Sequence, residues 1–112
     1  MSSLAITGAS SGIGKAIAEV YASKGYEIFL GARRIEKLDA LVEDLKALGA
    51  KSVQAHRLDV RSDESVLKWT QAVFTAFPKL DILVNNAGLV LGKDTVETGL
   101  IDDWTTIFDT NV

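Results

Sequence analysis

Two short stretches of this sequence have residue types and spacing suited to chemistry. The first is Gly8-Ala9-Ser10-Ser11-Gly12-Ile13-Gly14, which follows the apolar stretch Leu4 to Thr7 and opens an amphipathic segment. A bound phosphate needs backbone N–H groups aimed at it and no Cβ in its way. Gly8 permits a tight turn, Gly12 lets the backbone approach a pyrophosphate, and Gly14 lets the following helix pack closely on the sheet. Ser10, Ser11 and Ile13 complete the turn at a helix N-terminus, whose partial positive charge favours an anion. A glycine-rich turn between a strand and a helix, at the start of a βαβ unit, reads as a dinucleotide-binding pattern. A nucleoside-triphosphate loop would need Gly where Ala9 stands and Ser or Thr where Ala16 stands, so that alternative fails twice.

The second stretch is Arg33-Arg34. A dinucleotide site that prefers NAD places a carboxylate at the end of its second strand, about 20 residues past the glycines, to accept from the ribose 2′-hydroxyl. Here that place holds two guanidinium groups, and the next carboxylate, Glu36, falls within the following helix. Guanidinium groups pair bidentately with phosphate. The sequence therefore reads as a site for NADP(H) rather than NAD(H).

The elements that must position these residues follow from periodicity. Leu4 to Thr7, Glu27 to Gly31, Ser52 to Leu58 and Asp81 to Val84 read as strands. The third is broken by Gln54, His56 and Arg57, as suits a strand at a sheet edge with one wetter face. Between them, Ile13, Ala16, Ile17, Val20 and Tyr21 recur at helical spacing up to Gly25, and Ile35 to Leu48 carries a second apolar stripe ended by Gly49. Ser62 or Asp63 caps a third helix that buries Val66, Trp69, Val73 and Phe77. Asp102 or Asp103 is expected to begin a fourth, holding Trp104, Ile107 and Phe108. Strands alternating with helices imply an α/β fold built of βαβ units with a parallel sheet, whose topology right-handed crossovers restrict strongly.

Composition narrows the class. The chain has 112 residues, 47% of them hydrophobic, with 12 basic against 15 acidic side chains, one proline and no cysteine. That length fits one domain. The apolar fraction is too high for disorder, and no apolar run approaches the roughly 18 residues of a membrane span. Without cysteine there is no disulfide framework or thiolate metal site, and His56 is a lone histidine, so no metal is expected. A net charge of -3 offers no support for nucleic-acid binding. With no secretory signal visible, a soluble cytoplasmic protein is expected.

Taken together these residues resemble the short-chain dehydrogenases/reductases, over the whole chain but only over the N-terminal, cofactor-binding half of a family member. Thr7 to Gly14 is similar to the family's Thr-Gly-x-x-x-Gly-x-Gly motif. Leu58-Asp59-Val60 resembles its adenine-binding segment, which implies that the Asp59 side chain and the Val60 N–H meet the adenine ring. Asn85-Asn86-Ala87-Gly88 resembles the motif that lines the cofactor cleft, implicating Asn86, Ala87 and Gly88. Asn111 stands where the family keeps the asparagine of its catalytic tetrad. One departure is Ser11, where NADP-using members often carry a basic residue, leaving discrimination mostly to Arg33 and Arg34. Gly31 to Arg34 and the Phe108 to Asn111 stretch look like the NADP-dependent 3-hydroxy acid (serine-type) dehydrogenase branch.

The resemblance implies hydride transfer between NADP(H) and a small alcohol or carbonyl substrate, in a homodimer or homotetramer. It also implies a Tyr and a Lys four residues apart and a Ser that holds the substrate oxygen. Tyr21 is followed four residues on by Gly25 and Tyr26 by Leu30, so neither fits, and both read as packing residues. Residues 1–112 are thus expected to be the nucleotide-binding domain of an oxidoreductase, with the part carrying Ser, Tyr and Lys lying elsewhere. The alternative is a non-catalytic nucleotide-binding fragment. The resemblance further implies a Rossmann-type, doubly wound parallel sheet of about four strands in the order 3-2-1-4 with helices on both faces. The fourth strand, Asp81 to Val84, is therefore expected to be an apolar sheet edge, prone to association.

Overall fold

The computed structural model describes residues 2–10, 12–86 and, as backbone, 105–109. Five parallel strands form one sheet: β1 (Ser3–Thr7), β2 (Glu27–Ala32), β3 (Ser52–Arg57), β4 (Ile82–Asn85) and β5 (Thr105–Asp109). They lie in the order β3-β2-β1-β4-β5. Three helices connect the first four: α1 (Gly12–Ser23), α2 (Glu36–Leu48) and α3 (Asp63–Ala76). Among the described residues no helix is long and apolar enough to cross a membrane.

The strands are apolar in both alternating sets because both sheet faces are covered. On one face Leu4, Ile6, Ile28, Leu30 and Val84 pack with Ala18 and Ala22 of α1 and Leu38, Leu41 and Leu45 of α2. On the other, Ala5, Phe29 and Leu83 pack with Val66, Trp69 and Val73 of α3. Helices on both faces of a parallel sheet make this a Rossmann-type, doubly wound fold, with the first four strands in the expected order. At the edge, β3 is only half-buried, alternating outward Gln54, His56 and Arg57 with partly covered Val53 and Ala55. His56 lies flat on Phe29, ring centroids 4.9 Å apart.

Helix ends follow local chemistry. Ser62 is the cap of α3, its hydroxyl accepting from the Ser65 N–H at 3.2 Å, and Asp63 and Glu64 lie in the positive first turn. Gly49 closes α2 with φ of 117°. Below the sheet, Asp81 accepts from the Ser3 N–H at 2.8 Å and fastens the start of β1 to the start of β4.

Two expectations are corrected. On α1 the buried residues are Gly14, Ala18 and Ala22, while Ile13 and Val20 are each 52% exposed. Periodicity favours the largest apolar side chains, but this helix lies so close to the sheet that only small residues fit beneath it. Ile17 and Tyr21 reach the core from its flank, where Tyr21 meets Tyr26 edge-on at 4.9 Å. The second correction concerns residues 105–109, which form β5 rather than part of a fourth helix. Thr105, Thr106, Ile107 and Phe108 are β-branched or aromatic and favour a strand. They pair with β4 at Leu83↔Thr106 and Val84↔Phe108, with a register step between. The outer edge of β4 is therefore hydrogen-bonded, and among the described residues β5 is the outermost strand on that side.

The α3 face also explains why β2 contains a glycine. The Trp69 indole N–H donates to the Leu30 carbonyl at 3.2 Å, so the ring lies across the strand. A Cβ on Gly31 would come within 2.6 Å of Trp69 Nε1. Gly31→Ala is expected to displace the indole and lower unfolding free energy by about 1–3 kcal/mol in urea titrations. In a Trp69→Leu background the same change should cost much less, and equal costs in both backgrounds would exclude the clash.

Candidate functional site

The ends of β1, β2 and β3 open onto a pocket of about 240 Å³. Gly8 and Ser10 line it from the turn after β1, Ala32 and Arg33 from the end of β2, and Leu58, Asp59, Val60 and Arg61 from the segment after β3. Ligand sites in open parallel sheets lie at this edge, where strands feed into helix N-termini.

The glycine turn is anchored on both sides. Gly8 has φ of 66°, a left-handed conformation that side-chain-bearing residues rarely adopt. The Ala9 N–H donates to the Gly31 carbonyl at 3.2 Å, and the Asn86 side-chain amide donates to the Gly8 carbonyl at 3.0 Å. Behind them, buried Thr7 donates its hydroxyl to the Asn85 side-chain carbonyl at 3.2 Å. The first turn of α1 is pressed against this lock. A Cβ on Gly14 would lie 2.5 Å from the Gly8 carbonyl oxygen and 2.8 Å from Asn86 Nδ2. Among the described residues, a Cβ on Gly12 would meet no atom within 4 Å. Packing within the protein therefore requires glycine at 14 but not at 12, where the space in front of the backbone is open.

Gly8, Ser10, Arg33, Asp59 and Val60 come together at the pocket. Gly12, Ile13 and Gly14 form the first turn of α1, and Arg34 is exposed next to Arg33 but outside the pocket lining. Asn86 holds the turn from behind, through Gly8. Ser11, Ala87, Gly88 and Asn111 lie outside the described residues.

Charge is unevenly compensated here. Arg33 and Arg34 are exposed, and neither forms an ion pair among the described residues. Asp59 is instead surrounded. Arg61 donates from Nε to one carboxylate oxygen and from a terminal nitrogen to the other, both at 3.0 Å. The Arg61 backbone N–H adds a third bond at 3.0 Å, and Arg57 approaches to 3.9 Å. The Arg61 side chain, followed by its backbone N–H, holds the Asp59 carboxyl well below the usual carboxylate range, and Asp59 in turn raises Arg61. Asp59 is also fixed from α3, because its N–H donates to the Ser65 hydroxyl at 2.9 Å and its carbonyl accepts from the Ser62 N–H at 3.0 Å. No group of three or more metal-ligating side chains occurs among the described residues.

Sequence reasoning missed Arg61 and the supporting role of Asn86. An aspartate whose carboxylate accepts from the N–H two residues on is a common turn former. Asp59-Val60-Arg61 at a strand end carries that signal. The Asn86 contact spans 78 positions, and no local pattern reveals it.

Comparison with known proteins agrees with this geometry. The chain is 40% identical to the sulfoacetaldehyde reductase of Chromohalobacter salexigens over 107 residues, covering 96% of this chain and 42% of that protein. It is 34% identical to the NADP-dependent 3-hydroxy acid dehydrogenase of Salmonella typhi over 106 residues, 95% of this chain and 41% of that protein. Its fold matches an alcohol dehydrogenase from the archaeon Thermococcus sibiricus, solved with 5-hydroxy-NADP, at a TM-score of 0.74 and 41% identity, over 83% of this chain and 40% of that one. The chain thus spans about two fifths of the length of these relatives. The sequence model of the short chain dehydrogenase family matches residues 3–112, and the chain belongs to that family.

Proposed function

We propose that this chain supplies the NADP(H)-binding site of an oxidoreductase that moves hydride between NADP(H) and a small alcohol or carbonyl substrate. A 3-hydroxy acid is the candidate substrate, in keeping with the name of one relative. The single observation that carries the cofactor preference is the pair Arg33-Arg34, exposed and without ion-pair partners among the described residues, where an NAD site would place a carboxylate.

The residues fit such a cofactor. The open space before Gly12 accommodates a pyrophosphate at the N-terminus of α1. At about 240 Å³ the pocket is near the lower end of small-molecule sites, the size of a base with its ribose rather than a whole dinucleotide. Leu58 and Val60 give it apolar walls, and Asp59 stands ready to accept from an exocyclic amine. Arg33 and Arg34 would hold the 2′-phosphate by charge-assisted hydrogen bonds. The bound nicotinamide supplies hydride chemistry. This chain's part would be to fix its other end: the Gly8 turn, locked by Asn86, would hold the phosphates, and Ala87 and Gly88 are assigned to the same cofactor. Asn111 is assigned to the proton relay, and a dimeric or tetrameric assembly belongs to the same reading.

Two expectations test this. Gly12→Ala should leave the thermal midpoint unchanged or slightly raised, since alanine suits a helix better by about 0.5–1 kcal/mol. It should nevertheless weaken NADPH binding at least about tenfold by occupying the phosphate space. Gly14→Ala should instead destabilise the fold by about 1–3 kcal/mol, because a backbone carbonyl cannot yield cheaply. Unaltered NADPH affinity in Gly12→Ala, measured by fluorescence titration, would sink the phosphate assignment. Separately, Arg33→Asp with Arg34→Ile should lower the ratio of NADPH to NADH affinity by about 10- to 100-fold, the worth of one or two charge-assisted hydrogen bonds. An unchanged ratio would remove the role given to these arginines.

A further inference from the structure

We propose that Arg61 forms a preordered platform on which the adenine base stacks, separate from the arginines that read the 2′-phosphate. The inference rests on the nucleotide-site reading above and adds a residue to it. Two features set Arg61 apart from Arg33, which lines the same pocket.

The first is charge. Arg33 has no ion-pair partner among the described residues, whereas the two edge donors of Arg61 and its positive charge are already engaged by Asp59. With two of its five N–H donors taken and its charge compensated by Asp59, this guanidinium attracts a phosphate less than Arg33 does. What it keeps is its flat face, the surface that stacks on aromatic rings. Beside Gly8 and Ser10 from the glycine turn, Ala32, Leu58 and Val60 give the pocket apolar walls, as suits the faces of a heterocycle.

The second is rigidity. An arginine side chain exposed to 69% would ordinarily sample many rotamers and lose that freedom on binding. Here the guanidinium is held at two points by the carboxylate of Asp59, whose backbone is itself fixed, its N–H donating to the Ser65 hydroxyl and its carbonyl accepting from the Ser62 N–H. The ordering cost is met in folding, so a stacked base recovers the full contact. Asp59 then serves twice. It pins the platform, and because a carboxylate has about four lone-pair positions, it retains capacity to accept from the base.

The test compares wild type, Arg61→Ala and Arg61→Lys for binding of 5′-AMP, 2′,5′-ADP, nicotinamide mononucleotide and NADPH by calorimetry. Arg61→Ala should weaken 5′-AMP and 2′,5′-ADP by the same factor, about 5- to 100-fold. Nicotinamide mononucleotide, which has no adenine, should be unaffected. Arg61→Lys keeps the charge but lacks the flat face and the two-point grip, and should be as weak as Arg61→Ala. A loss confined to 2′,5′-ADP and NADPH, full rescue by lysine, or no change in any ligand would each overturn the platform. Failure of the wild type to bind any of the four would overturn the nucleotide-site reading instead. Since Arg61 is largely exposed, equal thermal midpoints are expected for the three proteins and confirm that each is folded.

Discussion

The carbonyl oxygen of Gly8 is the point on which the rest of this site depends. It accepts from Asn86 at the end of β4, and Gly14 of α1 packs directly against it. The turn after β1, the first turn of α1 and, from 78 positions away, the end of β4 therefore meet at one backbone atom. This close approach forces α1 down onto the sheet, so its buried face is made of Gly14, Ala18 and Ala22. The same approach brings the helix N-terminus over the ends of the central strands. The placement of the helix N-terminus and the small-residue packing of α1 are two consequences of a single steric constraint.

A comparable economy operates on the opposite face. Trp69 spans β2, hydrogen-bonded to Leu30 and lying over Gly31, and it meets Phe29 edge-on with ring centroids 5.6 Å apart. Phe29 also meets Phe77 at 6.2 Å and carries His56 on its outer side. Aromatic side chains bury large areas, and edge-to-face pairs add a directional contribution. This cluster backs the end of β2, the strand that leads directly into Arg33. Core packing and site placement are thus coupled: the Gly31 carbonyl, beneath Trp69, also accepts the N–H of Ala9 in the glycine turn.

Electrostatics divides the pocket rim into two kinds of arginine. Arg33 and Arg34 are left without ionic partners among the described residues. Arg61 is paired in a bidentate grip with Asp59, and Arg57 is drawn toward the same carboxylate. A net charge of -3 conceals this arrangement, because local pairing decides which cations remain available to a ligand.

Much of the fold was legible without coordinates. Periodicity located four strands and three helices, their alternation implied a parallel sheet with right-handed crossovers, and the family resemblance implied the order 3-2-1-4. The glycine turn and the arginine pair were equally visible, since local backbone geometry and charge type decide what a turn can bind. Other features were not, because they arise from contacts between distant positions. The helical pattern of α1 pointed to Ile13 and Val20, yet the Gly8–Gly14 approach chose the alanines beneath. Helical spacing in residues 104–108 was misleading, because pairing with the apolar edge of β4 favours the extended form that β-branched residues prefer. Asp59 was recognisable as a residue type, but its grip on Arg61 depends on the path of the chain after β3 and the hydroxyls of α3. By itself the sequence determined the periodic elements, their alternation and the glycine-rich turn, all encoded in local spacing. Only the tertiary structure decided which helix face is buried and which strand pairs with the outer edge of β4, since each is set by what lies across the fold.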